Sequence, residues 1–281
     1  MPLLRHHYGK GRVRLMRVHR DGPYNEVREL TLRVMLEGDF GAAYTDADNS
    51  RVVATDTIKN LCYIVAVDHL AAGGEAFAEA LGACFLDRYA HVTAVSVTST
   101  ETKWARMPVG GAPHPHAFLL DANGTPTVRA TFTRDGATIA SGIDGYTFMK
   151  STEAGWVGYL MDDATTLKET RDRIVATAMD ASWRWSARPA DYAAANAAIL
   201  TTAMEVFAST YSDGVQDSLY RMGEAVLAAV PEVAEISMAC PNKHYIPVNL
   251  AGFGRDGRNC VLLPTDEPHG QIECTVGRAA A

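Results

Sequence analysis

The chain has 281 residues, 47% of them hydrophobic and 21% charged, with a formal net charge of −7. That length fits two domains of roughly 100–150 residues, and the composition is that of a soluble globular protein. The acidic balance excludes general attraction to nucleic acid or to an anionic membrane, so an anionic substrate would need a local cationic site.

From Lys10 to Leu36 apolar residues alternate (Val13, Leu15, then Leu30, Leu32, Val34, Leu36) around an Asp21-Gly22-Pro23 turn, which predicts a long β-hairpin. The period then lengthens. Ile58, Leu61, Cys62 and Val65 follow helical spacing, with Thr55-Asp56 where an N-cap would sit. A second helix is expected over Ala76–Tyr89, with Phe77, Leu81, Cys84 and Phe85 on one face. Strands are expected at His91–Thr100, Ala117–Asp121 and Thr127–Arg134, the last two joined by an Asn123-Gly124 turn.

The second half repeats the order. Strands are expected near Thr138–Met149 and Ala181–Ser186, then helices at Tyr192–Phe207 and Val215–Val230. The later helix carries Val215, Leu219, Met222 and Val226 at helical spacing; strands follow at Ala234–Met238, Tyr245–Leu250 and Asn259–Leu263. Strand, strand, helix, helix, strand, strand thus occurs twice. The expectation is an α+β protein of two tandem units, 1–135 and 136–281, each an antiparallel sheet with helices on one face. Such a unit leaves a sheet edge and a sheet face open, which favours assembly with further copies.

The five cysteines (Cys62, Cys84, Cys240, Cys260, Cys274) form no Cys-x-x-Cys pair, so reduced and mostly buried thiols are expected rather than disulfides or a zinc site. Met1–His6 has no apolar signal core, no apolar run approaches the roughly 20 residues of a membrane span, and Gly277–Ala281 carries no peroxisomal tripeptide; a cytoplasmic protein is expected.

Several strings go beyond patterning. Tyr8-Gly9-Lys10 opens the first strand, Val53-Ala54-Thr55-Asp56-Thr57-Ile58-Lys59-Asn60 leads into the first helix, and Thr165–Arg173 lies in the second half. Val215-Gln216, Pro241-Asn242-Lys243-His244-Tyr245 and Cys274-Thr275-Val276-Gly277-Arg278 follow. In this order and at these separations, the chain resembles the urate oxidases from end to end. The resemblance implies the tunnelling fold: two ββααββ domains per chain and four chains in a tunnelled homotetramer with active sites between subunits. It implies oxidation of urate by O2 to 5-hydroxyisourate with release of H2O2, with no cofactor and no metal. The absence of a Gly-rich dinucleotide fingerprint or a P-loop accords with that.

Urate is a planar anion with donors and acceptors on its edges. By the resemblance, Arg173 supplies a planar cationic fork and Gln216 an amide that both donates and accepts, with the Val215 backbone assisting. Trp156 lies under the ring, and Thr55 and Asp56 reach the opposite edge from a neighbouring chain. Lys10, Thr55 and His244 form a proton relay: a threonine hydroxyl is a poor base alone, a desolvated lysine amine beside it can take the proton, and an imidazole passes protons on near neutral pH. Asn242 holds oxygen, and later water, over the ring face.

One position departs from the family pattern. Urate oxidases usually carry phenylalanine where this chain has Trp156, which keeps a π-face but is larger. That leaves open a cofactor-free oxidase for another purine-like fused heterocycle, or a purine-binding homologue without catalysis. A zinc-dependent cyclohydrolase of similar fold would need a cysteine–histidine set that the sequence does not offer. Arg173 read without the resemblance is an ion-pair partner of Asp172 or Glu169. His114-Pro115-His116 could pair two imidazoles but lacks a third ligand at diagnostic spacing. His6-His7 reads as a solvated terminus, Trp183 and Trp185 as one strand face against core or a neighbouring chain, and Ala190–Ala198 as helix.

Overall fold

The computed structural model describes residues 1–257 and 260–279. The chain divides into two compact units, Met1–Gly142 with Arg184–Ala194, and Ile143–Trp183 with Ala195–Ala281.

The first unit begins with the expected hairpin, β1 (Tyr8–His19) and β2 (Glu26–Gly38), paired antiparallel from Tyr8↔Leu36 to His19↔Glu26. A single turn, α1 (Gly41–Thr45), precedes α2 (Thr55–His69) and α3 (Gly74–Arg88). The chain then returns through β3 (Val92–Thr102), a separate two-stranded hairpin of β4 (Trp104–Val109) and β5 (Ala112–Leu120), and β6 (Thr125–Thr133). Side by side the order is β1-β2-β3-β6, antiparallel throughout. The period-2 residues of β2 (Leu30, Leu32, Val34, Leu36) are each 2% exposed or less. They face the same side as Val95 and Val97 of β3, and burying each contributes about 1.5–3 kcal/mol. The helices cover this face through Ile58, Leu61, Cys62 and Val65 of α2 and Phe77, Leu81 and Phe85 of α3, all buried. Cys84, expected on that stripe, is only half-buried.

The second half of the chain consists of β7 (Gly136–Lys150), β8 (Val175–Trp185), α4 (Tyr192–Ser209), α5 (Val215–Ala229), β9 (Val233–Pro247) and β10 (Leu262–Gly277), with strand order β7-β8-β9-β10. Val215, Leu219, Met222 and Val226 form the buried stripe of α5. Each half of the chain therefore carries one copy of the ββααββ order, with β4–β5 inserted in the first. Ala234–Met238 and the first half of Tyr245–Leu250, as far as Pro247, belong to one strand, β9, which runs straight through Pro241 opposite Gln271. Asn259, the expected start of the final strand, lies outside the described residues, as do Ala280 and Ala281 at the terminus; β10 itself begins at Leu262.

Trp183 and Trp185 are core residues. The Trp183 indole donates to Asn196 Oδ1 at 2.9 Å, and Trp185 donates to Ser141 Oγ at 2.8 Å, which in turn donates to the buried carboxylate of Glu75 at 2.6 Å. Only Cys62 and Cys240 of the five cysteines are buried; Cys84 and Cys274 are half-buried and Cys260 is exposed. Burial pushes the Cys62 and Cys240 thiols up to about 12, which keeps both protonated at neutral pH. Among the described residues, no helix is long and apolar enough to cross a membrane.

Candidate active site

The expected site residues gather in two places, one in each unit. In the first, Lys10 sits at a β-bulge: Lys10 pairs with Val34, but the next partners are Val13 and Leu32, so Gly11 and Arg12 oppose Arg33 alone. Arg12 has φ +54°, the strained conformation such a bulge needs. The extra residue turns the strand just after Lys10. Gly9 is fixed by close approach, because a Cβ there would lie 1.9 Å from the Val34 carbonyl oxygen. Thr55 and Asp56 stand exposed on the first turn of α2.

Capping does not explain those two residues. The N-cap is Ala54, with no side-chain cap bond, so Thr55 is the first helical residue and not the cap expected from sequence. Asp56 turns along the helix, accepting from Lys59 Nζ at 2.5 Å and Asn60 Nδ2 at 3.0 Å. The Lys59 ammonium, with a smaller contribution from Lys10, holds its carboxyl below the usual value. Tyr8 links the two segments. Val53 N–H donates to its hydroxyl at 2.7 Å, and that hydroxyl donates to the Val53 carbonyl at 3.1 Å. Lys10 and Thr55 each lie two residues from one end of this contact.

In the second unit three segments converge on Trp156. Its backbone bonds both ways with Thr170, at 2.7 and 3.1 Å, and its indole stacks on Tyr159, with centroids 5.7 Å apart and planes at 10°. Arg173 is tied down twice: its N–H donates to the Ala154 carbonyl at 2.9 Å and its Nε to the Gly155 carbonyl at 3.1 Å. Its guanidinium carbon lies 5.9 Å from the Trp156 ring, and burial draws its proton affinity down, though arginine stays charged. The ion-pair alternatives are engaged elsewhere: Asp172 accepts from Thr152 Oγ1 and Glu169 from Gly158 N–H.

The third segment enters through Ser212, which is fully buried. Gly155 N–H donates to its carbonyl at 2.8 Å, its own N–H donates to Glu153 at 3.0 Å, and its hydroxyl shares a hydrogen bond with Ser218 at 2.7 Å. Tyr211 hydroxyl donates to the Arg171 carbonyl at 2.8 Å. These bonds fix the start of α5, where Val215 is buried and Gln216 is exposed. The unpaired N–H groups of a helix start carry partial positive charge suited to an anion. Asn242 on β9 is 9% exposed and shares a small apolar cavity with Val215, Ser218 and Met222. His244 lies two residues on, hence on the same face of β9, opposite Thr265.

An indole face, a planar cation, a carboxamide and a helix N-terminus are thus grouped in one unit, and a lysine with an exposed threonine and aspartate in the other. The first group suits a flat anion with polar edges; the second suits proton transfer. The sequence assigns no role to Tyr8, Tyr211, Ser212 or Gly214, whose contacts lie far along the chain. Outside these groups, the His114 and His116 rings meet edge-on at 4.5 Å, and among the described residues no three histidine, cysteine or acidic side chains converge as metal ligands.

The profile of the uricase family matches residues 6–131 and 139–273, which is nearly the whole chain in two blocks. The chain belongs to the uricase family. It is 37% identical to the uricase of Aspergillus flavus over 289 residues, covering 97% of this chain and 96% of that protein. It is 38% identical to the uricase of Arthrobacter globiformis over 271 residues, covering 96% and 88% respectively. The crystal structure of the Arthrobacter globiformis uricase superposes with a TM-score of 0.93 at 37% identity, covering all of this chain and 96% of that one. A uricase-family fold of two ββααββ domains is therefore shared along the full length.

Proposed function

We propose that the chain oxidises urate with molecular oxygen, binding the purine on Trp156 between Arg173 and Gln216. The observation that carries this is the convergence of Arg173 and the α5 N-terminus on the one indole. The reaction is urate + O2 + H2O → 5-hydroxyisourate + H2O2, in which urate supplies two electrons and O2 accepts them. Arg173 and Gln216 hold one edge of the anion, with the Val215 N–H beside them. Asn242 offers its amide to oxygen and then to the water that adds at C5. Thr55 takes the proton whose loss makes urate a good electron donor, Lys10 takes it from Thr55, and His244 passes protons onward. No cofactor is required, because the substrate dianion is itself the reductant.

The two groups of residues complete one site across neighbouring chains of a homotetramer: one chain brings Lys10, Thr55 and Asp56, its neighbour the rest. The exposure of Thr55 and Asp56 supports this. Oxygen uptake on adding urate to chelator-treated protein, with peroxide release and loss of urate absorbance, tests the reaction; no uptake by intact protein would overturn it. Refolding inactive Lys10→Met chains together with inactive Arg173→Ala chains tests the shared site. Mixed assemblies should regain activity, whereas sites confined to one chain would stay dead.

A further inference from the structure

Gly214 is the N-cap of α5, with φ −176° and ψ 162°, an extended conformation open to any residue. The capping position accepts glycine but favours asparagine, aspartate or serine, whose oxygen would take up a free helix N–H. Neither the backbone nor the cap calls for glycine. The neighbouring side chain does: a Cβ on Gly214 would stand 2.8 Å from Cζ3 and 3.3 Å from Cε3 of Trp156, and 3.3 Å from Oε1 of Gln216. Carbon atoms do not approach to 2.8 Å, so a methyl there must displace the six-membered ring of the indole. That ring is not free to yield, with its backbone bonded both ways to Thr170, its face stacked on Tyr159 and Arg173 nearby.

We propose that Gly214 is a specificity-determining residue that acts through Trp156: the absent side chain is the space in which the outer indole ring sits, and that space sets the surface on which the substrate ring stacks. The proposal rests on the reading that urate stacks on Trp156. An indole at 156 requires glycine at 214, whereas the single ring of phenylalanine leaves room for a Cβ. The same contact reaches Gln216, so crowding at 214 disturbs both the stacking face and the amide that reads the purine edge. The two positions are 58 residues apart in sequence and act as one determinant for planar fused-ring anions.

The test uses the full chain as G214A, W156F, W156F/G214A and W156A, with KM and kcat for urate and Tm measured for each. With Trp156 present, G214A raises KM by roughly tenfold, a size typical of coupling between contacting side chains, and changes kcat much less. In the W156F background the same substitution leaves KM within about twofold, since the methyl enters space the indole has vacated. Equal KM changes in both backgrounds, or coupling seen in Tm alone, would overturn the proposal. Should G214A fail to fold, the comparison of W156F with W156F/G214A decides alone, a roughly tenfold rise between them being the adverse result. W156A separates the two failures: an unchanged KM removes the stacking reading and this proposal with it, while a raised KM without coupling removes only the role of Gly214.

Discussion

The Tyr8 hydroxyl and the Val53 backbone exchange two hydrogen bonds, accepting from the amide at 2.7 Å and donating to the carbonyl at 3.1 Å, across 45 residues of sequence. Val53 is buried, and burial raises the affinity of Tyr8 for its proton, so the hydroxyl remains a neutral donor at working pH. This contact fixes the bulged strand carrying Lys10 against the turn that leads to Thr55. Tyr8→Phe removes both bonds and strands a buried N–H, which costs about 1–3 kcal/mol. Tm should fall, and turnover should drop on the order of tenfold as the Lys10–Thr55 geometry loosens. A lowered Tm with unaltered kcat would reduce Tyr8 to a stabilising contact.

Lys10→Met and Thr55→Ala should each slow urate oxidation on the order of 10²–10⁴-fold, the usual loss when acid–base assistance is removed. Because the two act as one relay, the double variant should be scarcely slower than either single one. Steady-state oxygen uptake measures this. Multiplicative losses would mean that the residues serve separate steps, and near-normal rates would remove the relay.

What the sequence makes legible depends on how local each signal is. The α5 helix declares itself because Val215, Leu219, Met222 and Val226 recur at the helical period, and all four are buried. The strand β9 reads as two pieces because Pro241 offers no N–H to a ladder, and most of β10 is hidden because Pro264, Pro268 and Gly270 interrupt it. Proline is tolerated in β10 because that strand ends the order β7-β8-β9-β10. Thr55 reads as a cap because cap chemistry and site chemistry use the same residue types. Arg173, by contrast, has two acidic neighbours in sequence that the fold engages with Thr152 and Gly158. Tyr8 and Gly214 give no local signal of their contacts: each matters through a residue dozens of positions away, a relation only the folded chain creates.

Arg173→Lys keeps the charge but loses the planar fork and the Nε bond to the Gly155 carbonyl. KM for urate should rise roughly tenfold, with a smaller change in kcat, because what is lost is chiefly the grip on the bound anion. Initial-rate measurements over a range of urate concentrations check this. An unchanged KM would place the anion elsewhere.

Glu101 pairs with Arg28 at 3.0 and 3.1 Å, yet burial, with Glu75 adding to it, raises its carboxyl above the ordinary 4.5. Between 4.5 and that raised value the folded chain holds a proton that the unfolded chain has released. The stability tied to this proton is therefore complete below 4.5 and is lost as pH rises through the folded value. Glu101→Gln has no such titration and still offers Arg28 an amide oxygen. The variant should gain in Tm relative to the parent as pH rises across that window, and the difference should level off above it. Thermal unfolding followed from about pH 4 to 8 measures the slope. A difference that moves the other way would mean that the Arg28 ion pair outweighs burial and that Glu101 is stabilised as a carboxylate.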